Sequence, residues 1–224
     1  MIEFAGVGHR YGERVVLSGV DLRLPERRVA FVGANGSGKS TLARTINGLV
    51  RPSEGRTLVD GLDAVRDAGK VRRRVGFVFA NPDSQIVMPT AGEDVAFSLR
   101  RSGLSKAERA KRAAEILTSY GLGDHLEHPA HLLSGGQKQI LALCAMLVRD
   151  PAILVCDEPT TLLDLRNKRR FVDLLHTLEQ QVVLVTHDLD LLGGFDRVVV
   201  LDHGKVVADD APGPALRFYR ELAG

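Results

Sequence analysis

A glycine-rich stretch near the amino terminus has the composition and spacing of a loop that binds phosphate. Its sequence is Gly33-Ala34-Asn35-Gly36-Ser37-Gly38-Lys39-Ser40-Thr41, which fits the pattern G-x-x-x-x-G-K-[ST]. Glycines let the backbone curl tightly, so that successive N–H groups point at phosphate oxygens. We expect Lys39 to contact the β- and γ-phosphates and the Ser40 hydroxyl to bind Mg²⁺. The stretch therefore predicts a site for a nucleoside triphosphate.

The flanking residues place this loop between a strand and a helix. The apolar run Arg28–Val32 predicts a buried strand that ends at the loop, and Thr41–Gly48 predicts a helix that ends at its glycine. A helix that begins at the lysine adds the positive end of its dipole to the phosphate site. The alternative is a glycine-rich turn that matches by chance, and the strand–loop–helix order argues against it.

Two further apolar strands end in residues that suit phosphate chemistry. Ala152–Cys156 is followed by Asp157 and Glu158, and Val182–Val185 is followed closely by His187. We expect Asp157 to hold Mg²⁺ through water and Glu158 to polarise the attacking water. Two acids at a strand end are, taken alone, more typical of an exposed edge. A histidine at the edge where parallel sheets bind ligands is a candidate contact.

In this order the motifs resemble those of the ATP-binding-cassette ATPases, and the resemblance covers nearly the whole chain. The stretch Leu133-Ser134-Gly135-Gly136-Gln137 matches the family signature without a mismatch. The resemblance implies ATP and Mg²⁺ as cofactors, with Tyr11 stacked on adenine and Asp164 as the D-loop aspartate. It also implies that Glu158 is the catalytic base and that His187 contacts the γ-phosphate.

The resemblance implies an α/β fold, a RecA-like P-loop core with an N-terminal antiparallel sheet and an inserted helical lobe. We expect one domain over residues 1–224. Its core is expected at 1–80 and 150–211, its lobe, which carries the signature, at 81–149, and a tail with one short helix at most at 212–224.

Local sequence patterns predict individual strands and helices within this fold. Residues 2–32 predict a small antiparallel sheet of short strands, and Arg74–Phe79 predicts a further core strand after a solvated basic turn at Val71–Arg74. Periodicity and composition predict three helices in the lobe: Glu93–Arg101, Lys106–Tyr120, and one that follows the N-cap Ser134 and runs to Arg149.

The composition is that of an ordinary soluble protein. Net charge is +2, and with scattered basic residues and 5% aromatic residues we expect no nucleic-acid partner. The longest apolar run, Ile140–Val148, is far shorter than the roughly 20 residues of a membrane span. With no signal peptide recognisable, we expect a chain that reaches the cytoplasmic face of the membrane through partners.

Cysteine and histidine add little chemistry of their own. Cys144 and Cys156 lie in apolar runs and are expected in the core of a protein from a reducing compartment. The three-residue spacing of His125, His128 and His131 suggests a metal site, but the proline at 129 interrupts any helix that would align them.

One chain has one phosphate loop and one signature, and in the family the two meet between subunits. The resemblance implies a head-to-tail dimer of this chain with itself or with a homologous ATPase subunit. Each ATP then lies between the loop of one subunit and Ser134–Gln137 of the other. Since both are anion sites, ATP is expected to hold the dimer closed and hydrolysis to release it.

The segment Asn81-Pro82-Asp83-Ser84-Gln85, with Glu93–Phe97 after it, resembles the energy-coupling factor transporters, which import vitamins and transition-metal ions. The resemblance implies a coupling segment, Gln85, Ile86, Val87 and Met88, that grips a transmembrane coupling subunit, with a substrate-binding membrane subunit as a further partner. The alternative is that its apolar residues pack the lobe.

Within that group the biotin-transporter branch is the most similar, and the lack of a long C-terminal extension agrees with it. An importer of cobalt, of nickel or of another vitamin is the alternative. A soluble mechanical ATPase is less favoured, because the chain has neither a coiled-coil insertion nor a second cassette.

Ala80 is a departure from the family, most members of which have glutamine at this position. An alanine methyl group makes no hydrogen bond and cannot coordinate an ion. Either Gln85 bends in to take over this contact, or water fills the position. We favour water, since Mg²⁺ keeps several waters readily.

Overall fold

The computed structural model describes residues 1–224, apart from the side chain of residue 223, and its strands form two sheets. The strands of the first sheet are β1 (Ile2–Tyr11), β2 (Arg14–Leu24), β4 (Glu54–Val59) and β5 (Leu62–Asp63). Those of the second are β3 (Arg28–Val32), β6 (Val75–Val78), β7 (Ile153–Asp157), β8 (Gln181–Val185), β9 (Arg197–Asp202) and β10 (Lys205–Asp210).

The first sheet is antiparallel, in the order β2-β1-β4-β5, and the second has the order β10-β9-β3-β8-β7-β6. In the second sheet, β9, β3, β8, β7 and β6 run parallel, and β10 is an antiparallel edge strand. Parallel strands with both faces covered read as continuous apolar runs. This explains why β3, β6 and β7 are buried at every position.

The helices of the described residues are α1 (Lys39–Ile46), α2 (Ala68–Arg74), α3 (Ala91–Ser98), α4 (Lys106–Ser119), α5 (Gly135–Leu147), α6 (Leu165–Thr177) and α7 (Pro212–Ala223). Two apolar clusters divide the core. Val29 and Phe31 of β3 join α1 and the first sheet, whereas Ala30 and Val32 face the cluster that contains α5 and α6. The parallel sheet is therefore the central layer.

Helices α3, α4 and α5 all lie in the chain between β6 and β7, which are neighbours in the sheet. Both α4 and α5 begin with a capping box, in which a serine side chain and the side chain three residues later satisfy each other's backbone N–H groups. Helix α5 therefore begins at a defined point, directly after its N-cap Ser134. This places the signature at the exposed end of the helix.

Two local predictions were wrong. The basic run at 71–74 is the end of α2 and not a turn, because buried Val71 anchors this face while the three arginines stay in solvent at the negative end of the helix dipole. The amino-terminal strands are also long, with ten residues in β1 and eleven in β2. Strand β4 had not been predicted, because its first three residues are exposed and its sequence has no apolar alternation.

The carboxyl-terminal tail forms one helix, α7, of twelve residues. Both cysteines are free and fully buried. Burial raises the pKa of the Cys144 thiol to about 12 and raises that of Cys156 as well, with Asp157 nearby as a second cause.

Candidate nucleotide site

The glycine loop joins β3 to α1 and has a conformation that only glycine permits at two of its positions. Gly33 has φ +145°, and a Cβ there would overlap the carbonyl oxygen of Leu201. Gly38 has φ +105°, and a Cβ there would lie 2.8 Å from the carbonyl oxygen of Val16. The neighbouring strands β2 and β9 thus press against the loop. Its concave side is left as an open cradle of backbone N–H groups.

Lys39 folds over this cradle. Its Nζ donates to the carbonyl oxygens of Gly33 at 2.8 Å and Ala34 at 2.9 Å. Burial lowers the pKa of Lys39, and the carboxylates of Glu158 and Asp157 oppose that shift. The Ser37 hydroxyl is buried and has no hydrogen-bond partner among the described residues. The buried cation of Lys39, beside backbone N–H groups that line the cleft, fits a phosphate group.

Asp157, at the end of β7, is almost fully buried beside α1. Its Oδ1 accepts a hydrogen bond of 2.5 Å from the Ser40 hydroxyl, and its Oδ2 accepts two from Arg44, at 3.1 and 2.8 Å. A hydroxyl and a carboxylate oxygen in contact are the hard ligands that Mg²⁺ takes, together with phosphate and water. The residues present therefore fit this ion. Arg44 was not predicted, although its i+4 spacing from Ser40 places both on one helix face.

Glu158 follows Asp157 and turns sharply out of the strand, with φ +52°. Its N–H donates to the carbonyl oxygen of Val185 at 3.0 Å, which fixes this left-handed residue against β8. Its Oε2 lies 2.8 Å from Nδ1 of His187. The two residues proposed for catalysis from the sequence are therefore in direct contact.

Lys39, Ser40, Glu158 and His187 line one cleft of about 750 Å³, and Asp157 lies behind Ser40. The cleft is formed by the glycine loop together with Tyr11, Ala80, Glu158 and His187. The ring of Tyr11 is half exposed and stands edge-on to His9, with ring centroids 4.5 Å apart. An exposed aromatic ring on the rim is suited to stacking on a base.

The cleft has further lining residues that had not been predicted: Arg14, Val16, Thr161 and Tyr219. Arg14 and Val16 lie on β2, close in sequence to Tyr11, which had been predicted. Tyr219 comes from α7 at the opposite end of the chain, and no local pattern could have indicated it.

The signature residues lie elsewhere. Ser134, Gly136 and Gln137 line a separate cavity of about 230 Å³ between α5 and the start of α6. Ser134 N donates to Gln137 Oε1 at 2.9 Å, and Gln137 N donates to the Ser134 hydroxyl at 3.3 Å. Asp164 caps α6 by accepting from Asn167 N at 2.8 Å. A single chain therefore does not bring the signature and the phosphate loop together.

Gln85 does not line the cleft. Its Oε1 accepts from the N–H of Phe79 at 3.2 Å, and its Nε2 donates to the carbonyl oxygen of Ala142 at 3.3 Å. A second amide, that of buried Gln139, donates to the carbonyl oxygen of Phe79 at 3.1 Å. Two glutamines thus bind the end of β6 to α5. Ala80 lines the cleft instead, and this supports water as the group beside the ion.

The coupling segment divides into buried and exposed parts. Ile86 packs against the apolar cluster of the lobe, whereas Val87 is 64% exposed. Buried Asp94 on α3 accepts from the N–H groups of Val87 at 2.8 Å and Met88 at 3.0 Å. Burial raises the pKa of Asp94, and these two hydrogen bonds oppose the shift. The carboxylate thus fixes the backbone of the segment in a conformation in which the Val87 side chain is exposed to solvent.

No helix among the described residues combines the length and the apolar character needed to cross a membrane.

A family model described as "ABC transporter" matches residues 17–161 of the chain. The chain is 54% identical over 221 residues to a Deinococcus radiodurans protein assigned as an ABC transporter ATP-binding protein, covering 99% of this chain and 98% of the relative. It is 42% identical to the biotin transport ATP-binding protein BioM of Rhizobium etli, covering 99% of each.

Among solved structures, the chain is similar to cbiO1 from Clostridium perfringens, part of the ABC transporter complex cbiONQ. The TM-score is 0.85 and the identity 30%, covering 99% of this chain and 92% of that chain. This likeness confirms the predicted fold class, with its parallel core and its additional antiparallel sheet.

Proposed function

Because the chain belongs to the ABC transporter family of ATP-binding proteins, we propose that it is the ATP-hydrolysing subunit of an importer of the energy-coupling factor type. The observation that carries the proposal is the cleft. It combines a phosphate loop and its buried lysine, an Asp157–Ser40 pair fitted to Mg²⁺, and the Glu158–His187 contact of 2.8 Å.

Each residue of the cleft has a role in this proposal. When bound, Mg²⁺ neutralises charge on the β- and γ-phosphates. Lys39 and the N–H groups of the loop hold those phosphates, and Ser40 and Asp157 hold the ion. Glu158 takes the proton of the attacking water, and His187 contacts the γ-phosphate while it orients the Glu158 carboxylate. Tyr11 stacks on the adenine.

We propose a head-to-tail dimer as the working unit, with this chain or a homologous ATPase subunit as the second member. The support is that the cleft and the signature cavity are separate in one chain. In the dimer, Ser134–Gln137 of one subunit and Asp164 beside it close over the nucleotide in the cleft of the other. ATP then favours the closed state, because the signature binds it only there.

Membrane partners complete the proposal. The coupling segment Gln85–Met88 is proposed to receive a transmembrane coupling subunit, which works with a substrate-binding membrane subunit. Val87 supports this, since it is exposed and held in place by Asp94. The ATPase is thereby peripheral, on the cytoplasmic face of the membrane.

Biotin is the proposed substrate, on the strength of the 42% identity to BioM over nearly the full length of both chains. Cobalt is the second candidate, since a cobalt import ATP-binding protein, CbiO of Syntrophus aciditrophicus, is 40% identical over 95% of this chain. No residue of an ATPase subunit contacts the transported molecule, so the site itself favours neither.

Uptake of labelled substrate tests the proposal. Cells without their own biotin and cobalt importers would carry this chain with its transmembrane partners, and Glu158→Gln would serve as the control. We expect uptake of radiolabelled biotin that requires all subunits and is abolished by Glu158→Gln. Uptake of cobalt alone would support the second candidate, and uptake of neither would exclude both biotin and cobalt as the substrate.

A further inference from the structure

A histidine from the segment before the signature contacts the first turn of α5. His125 ends a short 3₁₀ turn, Gly123–His125, and its Nε2 lies 3.0 Å from Nε2 of Gln137. The other ring nitrogen, Nδ1, is buried and has no hydrogen-bond partner among the described residues. The ring is therefore held at one nitrogen only, by the signature itself.

The network fixes which atom donates. The N–H of Ser134 donates to Gln137 Oε1 at 2.9 Å, so this oxygen is the acceptor and Nε2 of Gln137 is a donor. His125 Nε2 must then accept this hydrogen bond, so Nε2 itself carries no proton. The amide orientation of Gln137 follows from a backbone group that cannot be anything but a donor.

The consequence is a chain of three contacts across the signature. His125 holds the amide of Gln137, Gln137 Oε1 holds the N–H of Ser134, and the Ser134 hydroxyl accepts from Gln137 N at 3.3 Å. Without His125, the amide of Gln137 is held by the N–H of Ser134 alone. The serine and the first turn of α5 would then lose one of their two mutual hydrogen bonds for part of the time.

We propose that His125 is a positioning residue for the signature, which keeps Ser134 and Gln137 in the conformation that receives the nucleotide of the partner subunit. The inference rests on the proposed head-to-tail dimer. It assigns a role to one member of the histidine triplet that the sequence singled out. The described residues contain no group of three or more His, Cys, Asp or Glu side chains that could hold a metal.

The neighbouring histidines provide matched controls. His128 stands edge-on to His125, with ring centroids 5.6 Å apart, but it is exposed and makes no side-chain hydrogen bond among the described residues. His131 is exposed as well. Substitutions at these two positions change the same segment without removing the contact to Gln137.

The test compares two substitutions of His125 that introduce a side-chain carboxamide, His125→Gln and His125→Asn. The carboxamide oxygen of glutamine extends to about the place of Nε2 and can accept from Gln137, whereas that of asparagine stops near the place of Nδ1. All variants are made in the Glu158→Gln background. ATP-driven dimerisation is measured by sizing chromatography over a range of ATP concentrations, and ATP binding to the monomer is measured with a fluorescent analogue.

We expect His125→Asn to raise the ATP concentration at half-dimerisation roughly tenfold, the equivalent of one lost hydrogen bond. Monomer ATP affinity should not change, since the cleft is built from other residues. His125→Gln should restore dimerisation to within about twofold of the parent, as should His128→Asn and His131→Asn. Thermal melting of each variant identifies any loss of fold.

The outcomes distinguish a failure of the proposed dimer from a failure of the proposed role of His125. If the Glu158→Gln parent does not dimerise with ATP, the proposed dimer is wrong. If the parent dimerises and His125→Asn does so at the same ATP concentration, the positioning role is wrong. Equal defects in His125→Asn and His125→Gln, at unchanged melting temperature, would also overturn it, because the acceptor at Nε2 would then not matter.

Discussion

Arg44 binds one carboxylate oxygen of Asp157 with two of its nitrogens, Nε at 3.1 Å and Nη2 at 2.8 Å. The other oxygen, Oδ1, is thereby turned towards Ser40, at 2.5 Å. Because Asp157 is almost fully buried and Arg44 is not, the arginine compensates a charge that water cannot reach. The Arg44–Asp157 ion pair therefore orients the carboxylate that we propose as an Mg²⁺ ligand.

Arg44→Ala should destabilise the nucleotide-free chain by about 2 kcal/mol, the size of a hydrogen bond to a charged group. Mg·ATP should recover part of this loss, because the ion supplies a new counter-charge near Asp157. Denaturant unfolding with and without Mg·ATP measures both quantities. Arg51→Ala, on the exposed segment after α1, is the control. An equal loss in both conditions would show that Arg44 does not act through the ion-binding carboxylate.

Glu158→Gln should reduce ATP hydrolysis by about 10²–10⁴-fold, since the amide cannot accept the proton of water. ATP binding should persist, because Lys39 and the glycine loop are unaffected. Glutamine also keeps the length of the side chain and tolerates the backbone at φ +52° no worse than glutamate. Steady-state phosphate release and equilibrium ATP binding are the two measurements. Turnover near that of the parent would exclude Glu158 as the base.

Val87→Glu should abolish co-purification with the transmembrane partner and leave the melting temperature unchanged, because Val87 is 64% exposed. Ile86→Glu should instead lower the melting temperature, because Ile86 packs against the apolar cluster of the lobe. Val207→Glu on β10, also exposed, is the control for added charge. Intact assembly of the Val87 variant would move the membrane contact to another surface.

Asp94→Asn should gain stability relative to the parent as the pH rises. Burial raises the folded-state pKa of Asp94 above its unfolded value, so ionisation favours the unfolded chain. The parent therefore loses stability as the pH rises through the folded-state pKa, and the amide does not. The difference in melting temperature, variant minus parent, should be larger at pH 7 than near pH 4. A difference independent of pH would mean that the folded-state pKa of Asp94 is not raised above its unfolded value.

Gln85→Ala should impair transport more than ATP affinity. Its amide connects Phe79 N to Ala142 O, at 3.2 and 3.3 Å, and so joins the strand beside the cleft to the signature helix. Uptake per ATP hydrolysed is the measure, and Ser84→Ala is the neighbouring control. Equal loss of ATP affinity and uptake would place Gln85 at the nucleotide instead.

The parts of the site that could be predicted from the sequence are those in which consecutive residues both form a recognisable strand or loop and include the functional side chains. The glycine loop, Asp157-Glu158 and His187 follow buried strands, whose apolar runs are unmistakable. Arg44 and Asp94 escaped prediction because each binds a residue from another element, 113 positions away for Arg44. Tyr219 reaches the cleft through the packing of a whole helix. Side chains whose partners lie on other elements leave no pattern in their own segment of the sequence.

The two buried cysteines make the chain a ready scaffold for site-specific labels. Their thiols are fully buried and, with their raised pKa, hold little of the reactive thiolate at neutral pH. A maleimide dye should therefore leave the native protein unlabelled and react only with a cysteine introduced on the surface. One dye near the cleft and one near the signature, on separate subunits, would then report dimer closure in real time without first removing Cys144 or Cys156.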